Sequence, residues 1–555
     1  MENSEHEEHL AHSSEVAKGT IWGLAGTFVT KIVAFLYTIY MAYVISQGDV
    51  GVFNLALGIV AIISVWKDLG LPTSLLRYVP YYEGRGEERK ASQLLKNAYI
   101  ADAISGVVLT AVVWLSSDVV ASFYSNPALG NALRLMSFFV LIDNLYRVGS
   151  SYLNGKARIA DVQLLTMVQS VAKLILTVII VNAMGANYAS LTIAYVASSF
   201  IGLIVMLPMV WKESAFSWRN ASEGKGEGIS MGEMYREIAP FGIMLMAVQT
   251  FYTVISSTDK AILGYLAPTA VANEQVAIYS MAVTLGGNLM VFPGAVGGIF
   301  LPVISRLVGK GDTAMMRRTM GTAQRWTLFI TIPMAAVMIA FSSEMLSVFF
   351  GSAYGTGGAT MAIFMAGLLF SVISYTSNLA LAGMRLIKLE LKIVAFAAIL
   401  NVALNLALIP GYGMEGAAFA GAVSLAVSGL LFMHYNRKMT GFDTMAKSGK
   451  LLLAGVIVLG AAFAIKPAVA FAALAVPAIG PAALKPYLAK IGYLAVLGIT
   501  SCLAFAAFGT LSVLMHCFEK EDATVMRGIA KKAFVPERAV AFVEKIIKQG
   551  TAVEK

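Results

Sequence analysis

Asp49-Val50-Gly51-Val52-Phe53 and Gln275-Val276-Ala277-Ile278-Tyr279 read as two copies of one segment, and the chain on either side repeats in step with them. Lys31 falls on Asp259, Gly155 on Gly383 and Lys173 on Asn401, each pair 228 residues apart (259 − 31). The quoted segments are 226 apart and Arg77 and Arg306 are 229 apart, so the loops absorb the slippage. A duplicated hydrophobic unit is the sequence form of two lobes that rock about a shared central site, as in secondary transporters.

The surrounding composition puts that unit in lipid. Of 555 residues, 58% are hydrophobic and 13% charged, against about 25% charged in an average soluble protein; mean hydropathy is +0.74. Apolar runs of about 20 residues can each cross a hydrocarbon layer. They fall at 19–44, 50–79, 98–116, 131–154, 162–183, 187–210, 238–265, 276–305, 326–349, 358–383, 390–410, 414–435, 451–478 and 488–516. The expected fold is all-α and integral to the membrane, with about fourteen transmembrane helices: two six-helix pseudo-repeats and a C-terminal pair. The expected divisions are a tail (1–18), a first lobe (19–211), a linker (212–237), a second lobe (238–436), the added pair (450–516) and an amphipathic tail (517–555). Within the last, Pro536 divides two helical pieces.

The net charge of +9 follows the loops rather than pointing to nucleic acid. Basic residues crowd alternate connections: Arg77 to Lys96, Lys156 and Arg158, Lys212 to Arg236, then Arg306 to Arg325, Arg385 to Lys392, and Arg437 to Lys450. The connections between them, such as 116–130 and 266–275, have no Lys or Arg, and only the stretch from Lys466 to Lys490 departs from the alternation. Positive loops remain cytoplasmic, so both termini are expected in the cytoplasm of a multi-pass plasma-membrane protein. The acidic first eighteen residues are unlike a signal peptide. Cys502 and Cys517 are too few for a disulfide frame or a cysteine metal cluster.

Glycine and proline mark expected breaks and close contacts. Gly70-Leu71-Pro72 and Pro293 sit where the second and eighth spans can break or bend. Gly286-Gly287, Gly297-Gly298 and Gly416-Ala417-Ala418 suit close approach of helices.

Charges at mid-membrane cost a few kcal/mol and ask for a reason. Lys31 and Lys173 lie near mid-depth, and Asp143 and Arg147, four apart, share one helix face. At the matching places the second repeat has Asp259, Asn401, Ser371 and Tyr375. One reading is internal neutralisation, with Asp143 pairing a neighbouring cation. The other is a hydrated cavity in which Lys31, Arg147 and Lys173, oriented by Asp143, attract an anionic headgroup. Gln249, Tyr252, Thr253, Ser256 and Asp259 step by three or four along the seventh span, a polar stripe expected to face the bundle. Asp259 suits either a coupling group or a structural partner, with Lys260 snorkelling outward. Tyr375, Asn378, Asn401 and Asn405 add hydroxyl and amide groups that suit sugar contacts or helix-to-helix bonding. His6, His9 and His12 stand in an acidic tail and are read as solvated. Neither a phosphate-cradling glycine loop nor a His-Glu-x-x-His motif is present, so no enzyme, cofactor or metal is expected.

Two longer strings carry a resemblance. Asn401-Val402-Ala403-Leu404-Asn405-Leu406-Ala407-Leu408-Ile409-Pro410 runs on to Gly413 and Gly416-Ala417-Ala418; Thr258-Asp259-Lys260-Ala261-Ile262-Leu263-Gly264 precedes Val276 to Tyr279, Pro302 and Ser305-Arg306-Leu307. Together they resemble the polysaccharide-transporter branch of the multidrug/oligosaccharidyl-lipid/polysaccharide exporter superfamily, over most of residues 15–440. The resemblance implies a flippase for lipid-linked oligosaccharides, with two six-helix lobes around a central, often cationic cavity. Its partners would be the lipid-linked glycan, membrane lipids and glycan-assembly enzymes, with H+, Na+ or membrane potential as the driving force. Two alternatives stand beside it: a drug/cation antiporter of the same superfamily, using Asp259 or Asp143, and a non-transporting scaffold acting through the tail.

Overall fold

In a computed structural model the described residues are 26–67, 70–223, 230–475, 485–519 and 522, and none of them forms a strand. The acidic N-terminal tail and nearly all of the C-terminal tail, with its two expected helical pieces, lie outside them. Twelve helices among the described residues are long and apolar enough to span a membrane. Fourteen spans were expected; the difference lies in two places. Residues 390–410 and 414–435, expected as separate spans, belong to one run, Ile387–Thr440, kinked at Gly413, and the long helix Met231–Leu266 is not among the twelve. The chain is a multi-pass helical membrane protein.

It divides into two compact units: Met1–Ser280 with Asn405–Gly413, and Met281–Leu404 with Met414–Lys555. The first contains α1 (Gly26–Val44), α2 (Gln47–Ile63), α3 (Leu71–Gly84), α4 (Glu88–Phe123), α5 (Pro127–Gly155), α6 (Ile159–Met184), α7 (Tyr188–Glu223) and α8 (Met231–Leu266). α9 (Ala272–Gly287) begins in it.

Local chemistry sets these boundaries. Ser46 caps α2 by accepting from the Asp49 amide at 3.1 Å. The expected break at Gly70-Leu71-Pro72 is a full interruption: a 3-10 turn over Ser64–Lys67, then Gly70 at φ +78°, then Pro72 in the first turn of α3. Proline fits there because its missing N–H would have no helical partner. Gly70 also meets Gly242 of α8 backbone to backbone; a Cβ on Gly70 would lie 2.2 Å from the Gly242 carbonyl carbon. α7 continues as helix to Glu223, and α8 starts at Met231 behind a Ser230–Glu233 capping box. Much of the stretch expected as a linker is therefore helical, and its glycine-rich centre, 224–229, lies outside the described residues. The core of this unit packs Leu71, Leu75, Leu94, Val148, Leu165 and Met206 from five helices. Ile104, Val107, Val108 and Leu115 of α4 remain exposed, the apolar surface expected toward lipid.

The second unit holds the rest of α9, a 3-10 turn over Asn288–Met290, α10 (Val291–Gly309), α11 (Thr313–Ala340), α12 (Ser342–Phe350), α13 (Gly358–Gly383), most of α14 (Ile387–Thr440), α15 (Thr444–Ala475) and α16 (Lys485–Leu514). The bend expected near Pro293 is that 3-10 turn. Lipid tails are as apolar as side chains, so helices here adhere through close packing and hydrogen bonds. Gln324 of α11 shows the bonding: it accepts from Thr376, and donates to the Ile373 carbonyl at 2.8 Å and Ser448 at 3.2 Å. Ser377, Thr444 and Asn436 continue the buried network.

Charge ties α15, and the segment that follows α16, to α11. Lys466, in the stretch that broke the loop alternation, bonds the Ala340 carbonyl at 2.9 Å and Glu344 at 3.0 Å. Arg325, grouped by sequence with the basic loop residues, is instead buried inside α11, its Nε 2.7 Å from Asp522 Oδ2.

Candidate functional site

The first unit carries a basic feature within its spanning helices and an acidic one on α8. The basic one centres on Lys173 of α6. Its ammonium lies 4.7 Å from the Tyr37 ring centre, contributed by α1, and 5.5 Å from that of Tyr195, contributed by α7. Phe53 of α2 and Phe139 of α5 pack on the Tyr195 ring with centroids 5.8 and 5.1 Å away. One turn below Lys173, Gln169 donates to Ser199 at 3.2 Å and lies against Gly202, fixing α6 against α7.

Lys173 makes no ion pair among the described residues. Ring faces attract a cation through their quadrupole, worth about 0.5–2 kcal/mol, and unlike a carboxylate they leave its positive charge uncancelled. Lys31, six residues before Tyr37 on α1, is exposed and likewise makes no ion pair among the described residues. Asp143 is half-buried and Arg147 exposed on α5; with Phe139 they are spaced four apart, so all three occupy one face.

The acidic feature is Asp259 of α8, 3% exposed. Tyr279 of α9 donates its hydroxyl to Asp259 Oδ2 at 2.5 Å, and Asn405 of α14 donates its amide to Oδ1 at 2.6 Å. Hydrogen bonds of this kind to a carboxylate are stronger than those between neutral groups. Eight residues after Asn405, α14 kinks at Gly413, φ +53°, where a Cβ would lie 2.7 Å from Gln275 Oε1. Beside Asp259, the stem of Lys260 runs past Gly58 of α2.

The other expected residues are more scattered. On α8, Gln249 and Ser256 are exposed and Tyr252 half-buried; Ser256 donates to the Thr253 carbonyl of its own helix at 3.1 Å. In the second unit Tyr375 and Asn378 are half-buried on α13 and Asn401 is buried on α14. The Tyr375 hydroxyl fills the space left by Gly297, 2.5 Å from where its Cβ would be. Among the described residues no three His, Cys, Asp or Glu side chains gather as a metal site.

Sequence reasoning missed Tyr37, Tyr195 and Tyr279. A signal existed for the last: it repeats Phe53, and gains a hydroxyl in the repeat where Asp259 replaces Lys31. Tyr37 and Tyr195 are single aromatic residues in apolar helices, with nothing in their spacing to set them apart.

Comparison with known proteins gives a consistent result. The family model described as "Polysaccharide biosynthesis protein" matches residues 16–308. The chain is similar to the probable low-salt glycan biosynthesis flippase Agl15 of Haloferax volcanii, at 21% identity over 72% of this chain and 79% of that one. Its fold is that of the lipid II flippase MurJ in an inward closed conformation, with TM-score 0.67, 14% identity, 88% of this chain covered and 98% of that one. An inward-facing multidrug resistance MATE family transporter of the MOP superfamily superposes less fully, with TM-score 0.58, 13% identity, and 74% and 94% covered.

Proposed function

We propose a function from one premise: the chain belongs to the polysaccharide biosynthesis protein family. In this reading it is a flippase that moves a polyprenyl-phosphate- or pyrophosphate-linked oligosaccharide across the cytoplasmic membrane by alternating access, with both termini in the cytoplasm. Membership of this family, with similarity in sequence and in fold to named flippases, supports the class of activity. The observation that carries the substrate class is the pair of ammonium groups at Lys31 and Lys173, within spanning helices and without an ion pair among the described residues. A cation in lipid without a counter-ion is costly; a phosphate-bearing headgroup would supply that counter-ion as it arrives.

Within the first unit, Lys31, Arg147 and Lys173 hold the phosphate, Asp143 orients the cations and Tyr252 contacts sugars, while the lipid tail stays in the bilayer. Asp259, gripped by Tyr279 and Asn405, is the coupling group for H+ or Na+.

Removing both ammonium groups (Lys31→Ala with Lys173→Ala) is expected to abolish glycan export in cells that depend on this chain, at normal membrane levels of the protein. Asp259→Asn is expected to slow turnover while headgroup binding persists. Near-normal export by the double variant would sink the flippase assignment. Headgroup binding lost in Asp259→Asn but kept in Lys173→Ala would favour a cation antiporter.

A further inference from the structure

The aromatic surroundings of Lys173 hold one group that packing leaves unexplained. Tyr37 is 6% exposed and its hydroxyl is buried without a hydrogen-bond partner among the described residues. The face of the same ring lies 4.7 Å under the Lys173 ammonium. Two donors, an ammonium with three N–H bonds and a phenol O–H, are thereby gathered on one ring, and neither has a side-chain acceptor among the described residues. A buried polar group left unbonded is unfavourable. The Tyr195 ring, itself packed on Phe53 and Phe139, lies 5.5 Å from the same ammonium.

We propose that Tyr37 and Lys173 form a single oxyanion subsite, in which the ammonium and the phenol hydroxyl bind different oxygens of one phosphoryl group. The inference rests on the flippase reading and deepens it, adding to the headgroup site a hydroxyl donor that charge counting overlooked. Phosphoryl chemistry fits because several oxygens on one centre can meet two donors that converge from different directions. The tyrosine ring does two things at once: its face holds the cation without neutralising it, and its edge contributes the second bond.

The test uses the full chain in lipid nanodiscs, with inorganic pyrophosphate and geranyl pyrophosphate as probes and geraniol as the uncharged control. Tyr37→Phe keeps the ring and loses only the hydroxyl. It is expected to weaken binding of the pyrophosphate probes about tenfold, the loss that follows removal of one hydrogen bond to a charged group. Tyr99→Phe removes a buried, unpartnered hydroxyl in the core of the same unit and is expected to leave binding unchanged. Dependence on Tyr37 for geranyl pyrophosphate alone would identify a lipid-linked headgroup; the same dependence for inorganic pyrophosphate would identify a general phosphoryl site. Wild-type affinity in Tyr37→Phe, with binding lost in Lys173→Ala, would overturn this subsite and leave the flippase reading intact. Full binding in Lys173→Ala would overturn both.

Discussion

Replacing Asp522 by Ala removes, in one step, the acceptor of three donors: Arg325 Nε at 2.7 Å, Trp326 Nε1 at 3.1 Å and the Glu519 amide at 2.8 Å. The Arg325 and Asp522 side chains are 3% and 0% exposed. Breaking a buried pair from one side costs about 3–5 kcal/mol, because a charge is left without compensation. Glu519 stays 3.0 Å from Arg325, but it is 44% exposed, and pairs open to solvent contribute only about 0–1 kcal/mol. Asp522→Ala is therefore expected to destabilise the second unit by about 3 kcal/mol. Asp522→Asn keeps an acceptor of the same size and should cost about half as much. Arg325→Met with Asp522→Leu removes both charges together but still leaves the Trp326 and Glu519 N–H groups without their acceptor, so it should cost less than Asp522→Ala without reaching wild type. Reversible unfolding of the full chain in mixed micelles, with hydrogen exchange at the amides of 515–519, measures all three. A change below about 0.5 kcal/mol for Asp522→Ala, or a double variant as unstable as the single one, would refute the argument. The same geometry bears on any truncation of the tail. Phe518 is buried, its ring 5.4 Å from Phe329, so a deletion meant to probe partners has to begin after Asp522.

Two further outcomes follow from local geometry. Gly70→Ala places a Cβ at positive φ and 2.2 Å from the Gly242 backbone; left-handed strain of about 1–2 kcal/mol adds to overpacking of about 1–3 kcal/mol, and a thermal shift smaller than that of an exposed Gly84→Ala control would refute it. At the start of α8, bonds from the Ser230 amide and hydroxyl hold the Glu233 carboxyl below its ordinary value of 4.5. A depressed folded value means that the capping contribution is complete above the unfolded carboxylate range and fades as pH falls through the folded value; protection of the 231–234 amides, measured against their intrinsic exchange rates, should fall in that acid window in wild type and be lower at every pH in Ser230→Ala, whereas wild-type protection that does not change with pH would refute the cap's role.

Much of the frame was legible in the residues themselves. Apolar run length fixed the helical membrane class, and Gly70-Leu71-Pro72 and Pro293 marked real interruptions, because left-handed backbone and a missing N–H are properties of single residues. The repeat located the exchange of Lys31 for Asp259 and of Lys173 for Asn401. Its partners were less legible. Helical spacing assigns a residue to a face but leaves open which helix that face meets, so Arg325 read as a loop cation until Asp522, 197 residues later, was found against it.

The sequence by itself determined that this is a bundle of membrane helices with an internal repeat, in which Lys31 and Lys173 of the first copy stand where the second has Asp259 and Asn401. Tertiary structure decided how those charges are tolerated: Lys173 between the rings of Tyr37 and Tyr195, and Asp259 between the hydroxyl of Tyr279 and the amide of Asn405. The reason lies in range. Hydrophobicity and backbone preference act within a few residues along the chain, whereas a buried charge is stabilised by whatever dipoles and ring faces stand within a few ångströms of it in space.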